Sequence, residues 1–188
     1  MAVAFPIARR RFTVEQYERM VEAGVIRPEE RVELLDGEVV EMAPIGPPHS
    51  SRVDRCSTYL WRTLGADVII RVQSPLHLSE LSMPEPDVTV LRARDDFYAA
   101  RHPTTADVLL LVEVGDTSAR FDREVKLPLY AAAAVVEVWL LDVKARTISV
   151  CTDPQQGAYR SIVQSGPGDV LRPTALPNAT IAAANVLG

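Results

Sequence analysis

Two apolar runs, 108–114 and 135–141, constrain this chain more than any other feature. Each has the length of a strand, and Val135–Leu141 is continuous enough to be central in a sheet. Between them, residues 120–133 carry Phe121, Val125 and Leu129 at helical spacing, a face that should pack on the sheet. Strand, helix, strand is therefore expected. Pro128 interrupts the predicted helix, where proline typically costs about 3 kcal/mol or kinks the axis. The helix should bend there or consist of two short segments.

The remaining elements follow from local signals. Thr13 with Gln16 forms a capping box for a helix that ends near Gly24. Asp36-Gly37 between 31–35 and 38–42 is a strong hairpin signal. A proline-rich loop at 44–48 leads to a second helix, about His49 to Leu64, with Val53, Leu60 and Leu64 inward. Strands are expected at 68–72, 76–78 and 87–91, then a charged excursion over 92–106. An antiparallel pair, 147–152 with 159–163, closes the sheet, and 176–188 supplies a terminal strand or cap. Trp61 and Trp139 read as core residues. Residues 1–11 are expected to be a flexible segment and 12–188 one domain. The sum is an α/β fold, a central mixed β-sheet flanked by helices.

Composition narrows the function classes. With 47% hydrophobic and 24% charged residues, the 188-residue chain resembles an ordinary soluble globular protein. No run is long enough to cross a bilayer. The N-terminus has apolar residues before Arg9-Arg10-Arg11, the reverse of a secretory signal, so a cytoplasmic protein is expected. Cys56 and Cys151 are then free thiols. A net charge of −5 argues against coating nucleic acid by bulk electrostatics, though not against a nuclease, whose acidic metal ligands lower the charge. The chain has no glycine-rich phosphate loop, Gly-x-Ser-x-Gly or His-Glu-x-x-His motif, so nucleotide cofactors and common hydrolase triads gain no support.

Glu113 lies near the end of the first apolar run, and Asp87 opens another. Charged groups are rarely fully buried unless paired or bound to metal. These two acids could share a magnesium ion, with the Val114 backbone carbonyl as a further ligand and manganese as an alternative metal. Lys126 could hold the attacking water or stabilise charge developing on phosphorus. Glu38 is a third acid within possible reach. Plainer explanations exist: Asp87 as a strand-entry residue, Glu38 as a flank of the turn, and Lys126 as the partner of Asp122 in an exposed i,i+4 pair. His49 opens a helix and could orient phosphate or water, or serve as a cap or surface residue. Arg120 and Arg123, with Arg52 and Arg55, could contact DNA phosphates, although a solvated helix face is the default explanation.

The ordered segments Leu34-Leu35-Asp36-Gly37-Glu38-Val39-Val40, Pro48-His49, Pro86-Asp87-Val88, Val112-Glu113-Val114, Asp122–Ala131 (with Lys126-Leu127-Pro128-Leu129-Tyr130) and Val136–Asp142 together resemble the bacterial Uma-two family. That family belongs to the PD-(D/E)XK nuclease superfamily of restriction endonucleases, and the likeness runs from about Phe12 to the C-terminus. It implies a restriction-endonuclease-like fold and magnesium-dependent cleavage of DNA. Asp87 and Glu113 match the metal ligands, and Glu38 matches the acid of the hairpin. Position 115, where the superfamily's Glu-x-Lys has its lysine, is Gly115, and Lys126 on the following helix matches the displaced lysine. With no appended recognition domain, sequence-specific cutting would need a homodimer or a partner. The alternative is a non-catalytic nuclease-fold protein that binds DNA or protein. An intact set of two acids and a lysine favours the enzyme.

Overall fold

The computed structural model describes residues 9–115 and 119–188. Thr13 caps α1 (Val14–Glu22), and its hydroxyl and the Gln16 side chain complete the expected capping box. Strands β1 (Val32–Leu35) and β2 (Glu38–Glu41) form a separate hairpin whose turn residues Asp36 and Gly37 have φ of 47° and 80°. These two left-handed residues match the right-handed twist of the strands. A side chain at position 37 would also meet Arg11 Cβ at 2.5 Å. Arg9 and Arg11 pair with Glu38 and Asp36, so this part of the predicted flexible segment is tethered. Residues 1–8 of that segment lie outside the described residues.

The long helix α2 (Pro47–Leu64) begins at its two prolines, slightly earlier than expected. Proline suits the first turn, where its missing N–H has no helical acceptor. The central sheet comprises β3 (Val68–Val72), β4 (Val88–Arg92), β5 (Val108–Gly115), β6 (Glu137–Asp142), β7 (Thr147–Gln155) and β8 (Ala158–Ser165), in that spatial order. The β5–β6 pair is parallel and its neighbours are antiparallel, which is the mixed sheet expected. The segment Leu76–Leu78 is not a ladder strand. Its N–H groups go to Pro84, Pro103 and Ser82 in turn, and such scattered acceptors cannot build a ladder. Strands β9 (Val170–Leu171) and β10 (Ile181–Ala182), then α5 (Ala183–Leu187), form the terminal cap.

Both sheet faces are covered. One core unites Val53, Cys56 and Leu60 of α2, Val186 of α5 and Val88, Leu110 and Trp139 of the sheet. The other sets Leu127, Tyr130 and Ala131 against Leu91, Leu111 and Val138. Trp139 is fully buried, as expected, but Trp61 is 62% exposed because it lies on the solvent side of α2. Cys56 and Cys151 are buried free thiols, and burial pushes them up to about 12 and about 11.

The region around Pro128 consists of α3 (Ala119–Phe121), a π turn (Asp122–Lys126) and α4 (Leu127–Ala132). Leu127 N–H reaches back to the Asp122 carbonyl across the wide turn. Pro128 then stands in the first turn of α4, where proline is tolerated. The wide turn also rotates the helical face. Phe121 and Val125, expected on the sheet, are 36% and 38% exposed, while Asp122, Lys126, Leu127 and Tyr130 turn inward. The junction at Asp116, Thr117 and Ser118 lies outside the described residues.

Candidate active site

Strand register sets the two acids side by side. Val88 of β4 opposes Val112 of β5, so Asp87 and Glu113 sit at the same end of adjacent strands. The Asp87 N–H donates to Glu113 Oε2 at 3.2 Å, and the Val114 N–H donates to Asp87 Oδ2 at 2.8 Å. Asp87 Oδ1 accepts from His49 Nε2 at 2.9 Å and from Gln73 at 3.1 Å. His49 is therefore neither a cap nor a surface group. The first turn of α2 directs it into the site, and its hydrogen bond to Asp87 raises its pKa against the opposing effect of burial.

Glu113 is 2% exposed. Its Oε1 accepts from the Tyr130 hydroxyl at 2.6 Å and lies 3.4 Å from Lys126 Nζ. The lysine is also 3.1 Å from Glu33 Oε2, an acid of the β1–β2 hairpin. Glu33 in turn accepts the Glu85 N–H at 3.1 Å, which ties the hairpin to the proline-rich segment that delivers Asp87. Lys126 and Asp122 are not on an exposed face as expected: the π turn buries both side chains.

Burial pushes the Glu113 carboxyl up to about 8; Lys126 opposes the rise, and the nearby Asp87 and Asp122 charges add to it. Burial alone would make Lys126 easier to deprotonate, but Glu113, Glu33 and Asp122 together hold it above its ordinary value. The cluster thus carries more buried carboxylates than cations, an arrangement that a further positive charge would relieve.

Glu33, Asp87, Glu113 and Lys126 reach a cleft of about 280 Å³ between the hairpin, the start of α2 and the π turn. Glu38, the acid chosen from the hairpin, does not reach it: the side chain is half exposed and pairs with Arg9. Glu33 stands there instead. Its sequence signal was the same as that of Glu113, an acid inside an apolar run, Val32-Glu33-Leu34-Leu35. Gln73 and Arg31 also enter the site or its walls, unmarked by local sequence, and so does Tyr130, which the sequence showed only as part of the Lys126–Tyr130 segment. Arg120 is exposed and pairs with Glu124 at 2.9 Å; Arg123 and Arg55 are exposed, and none of these arginines lines the cleft.

Gly115 ends β5 against the next helix. A Cβ there would lie 2.6 Å from Ala119 Cβ and 2.9 Å from its Cα, because α3 packs directly on the end of β5. A side chain at position 115 would force that packing apart, and the helical segment that begins at Ala119 carries Lys126 seven residues on.

The six-strand mixed sheet with helices on both faces is the fold of a known nuclease-like class. A family model described as "Putative restriction endonuclease" (Uma2) matches residues 14–184, and the chain belongs to that family. Among solved structures, the chain is similar to "a putative nuclease belonging to DUF820 from Anabaena variabilis ATCC 29413". The TM-score is 0.72 at 12% identity, covering 94% of this chain and 97% of that one, a likeness of fold. Comparison with curated proteins gives no match.

Proposed function

We propose that this protein is a magnesium-dependent DNA endonuclease, with manganese as a substitute metal, whose site comprises Asp87, Glu113 and Lys126. The observation that carries this reading is the meeting of two buried carboxylates and a lysine at the ends of β4 and β5. Among the described residues, no three His, Cys, Asp or Glu side chains form a ready-made metal cage. Magnesium suits that arrangement, since it takes one or two carboxylates and completes its shell with water and phosphate. The oxygen donors of Asp87 and Glu113, together with the excess of buried negative charge, fit such an ion; the Val114 carbonyl is a candidate third donor. When bound, the cation supplies positive charge against the phosphoryl oxygens.

The protein's own groups do the rest. His49 and Gln73 hold Asp87 Oδ1, and the Val114 N–H holds Oδ2, so the carboxylate is fixed before substrate arrives. Tyr130 orients Glu113 in the same way. Lys126 keeps its proton and offers a donor to a water or to a developing oxyanion at the cleft floor. A homodimer would bring two such sites to one substrate.

The test is cleavage of DNA with Mg²⁺, Mn²⁺ or EDTA by the wild type and Lys126→Gln. Metal-dependent cleavage that falls at least a hundredfold in the variant supports the reading. Equal cleavage by the two proteins contradicts it. A folded, metal-binding wild type that cuts no DNA favours the non-catalytic alternative.

A further inference from the structure

We propose that the cleft takes an unpaired nucleotide, its phosphate over Asp87 and Glu113 and its base against the Phe121 ring, so that the substrate is single-stranded or locally unpaired DNA. The proposal rests on the nuclease reading and adds to it the form of the strand.

Phe121 is the starting point. Helical spacing assigns it to the sheet, yet the π turn places it in the cleft wall, 36% exposed. The exposed part of the ring shares the cleft wall with charged groups, and π turns recur at functional sites. The loop between β2 and α2 adds further apolar surface to the same cleft through Met42, Ile45 and Pro48. With a divalent cation held by the acids on the floor, the floor would take the phosphate and the apolar walls the base, the two halves of a nucleotide.

Depth and size favour an unpaired strand. Glu113 and Lys126 are 2% and 5% exposed, so a phosphate must descend into the cleft to meet them. A volume of about 280 Å³ is at the lower limit for small-molecule pockets and admits about one nucleotide. A duplex keeps its bases paired inward and cannot offer one to the wall without flipping it out.

Net charge does not separate the two forms, since single strands also draw on lysine and arginine contacts to phosphate; the aromatic wall does. Stacking on an aromatic ring tolerates any base and is worth about tenfold or more in affinity per base. Arg31, within the cleft, adds a cation where the strand enters.

The experiment compares one labelled oligonucleotide as a single strand and as a blunt duplex. Cleavage is followed in Mg²⁺, and binding by fluorescence anisotropy in Ca²⁺. The proteins are wild type, Phe121→Ala and, as a control, Phe97→Ala, whose 69% exposed ring lies outside the cleft lining. The wild type should bind and cut the single strand at least tenfold better than the duplex. Phe121→Ala should narrow that ratio by about tenfold while its thermal melt shows it still folded, and Phe97→Ala should leave it alone. Equal handling of both forms, or a wild-type ratio in Phe121→Ala, overturns the proposal; duplex cutting without preference does so while the nuclease reading stands. Binding preference without cleavage supports the cleft assignment and removes the nuclease reading, and no binding of either form overturns both.

Discussion

The backbone N–H of Asp87 donates to the carboxylate of Glu113 at 3.2 Å, so the two acids are joined through the sheet itself. Their spacing is a consequence of the β4–β5 register, with Val88 opposite Val112. A one-residue slip would send one acid to the other face. The register of the central sheet therefore sets the spacing of the two acids.

Asp87→Asn tests that arrangement. The variant keeps a side-chain acceptor for the Val114 N–H but loses the charge. Magnesium or manganese affinity should fall at least tenfold, while stability changes by no more than about 1 kcal/mol. Calorimetric titration and urea unfolding read the two effects separately.

Glu33 is predicted to matter more for stability than its distance in sequence from the other site residues suggests. It holds Lys126 Nζ at 3.1 Å and the Glu85 N–H at 3.1 Å, and both the lysine and Glu33 are almost fully buried. Glu33→Ala leaves a buried ammonium with one fewer partner and should cost about 3–5 kcal/mol in urea unfolding. A loss under about 1 kcal/mol would show that the ammonium finds water instead.

Gly115 is expected to resist substitution. In Gly115→Ala the new Cβ meets Ala119 Cβ at 2.6 Å, and relieving that contact should cost about 1–3 kcal/mol. Gly115→Lys recreates the superfamily's Glu-x-Lys spacing. It should destabilise further, and it should not restore cleavage to Lys126→Ala. Thermal melts and a rescue assay check both statements.

Asp107 gives a pH dependence away from the site. Burial would raise its pKa, but the Arg101 guanidinium and the Thr104 N–H and hydroxyl outweigh that and hold it down at about 2, against an ordinary 3.8. The folded value lies below the unfolded one. The stabilisation is therefore fully present above about pH 4 and is lost as pH falls towards 2. With Arg101 well exposed, screening limits the effect to about 1 kcal/mol. Wild type should exceed Asp107→Asn in stability by that amount at pH 6, and the gap should close by pH 2.

Much of the architecture was legible because periodicity and turn chemistry are local. The Asp36-Gly37 hairpin, the Thr13 capping box and the β5 and β6 strands all followed from neighbouring residues. The inward face of the 119–132 region was not legible. Periodicity assumes 3.6 residues per turn, and the π turn broke that assumption at Asp122–Lys126. The same break put Lys126 at the cleft floor and Phe121 in its wall.

The acids divide in an instructive way. An acid inside an apolar strand marked Glu113, and the same rule applied to Glu33 would have found the hairpin's true contribution. Yet Glu137 obeys the rule too and lies outside the cleft lining, with its carboxylate taken by Trp139 Nε1 at 2.6 Å and the Thr174 N–H at 2.7 Å. Burial of an acid shows that it has partners; only three-dimensional proximity shows which partners make a site.

The most direct measurement is calorimetric titration of Mg²⁺ and Mn²⁺ into the wild type and Glu113→Gln, each alone and with an oligonucleotide present. Binding to the wild type that strengthens with DNA, and is lost in Glu113→Gln under both conditions, is the predicted result. Equal binding by the two proteins, or none by the wild type even with DNA at millimolar metal, would contradict a metal site at Asp87 and Glu113.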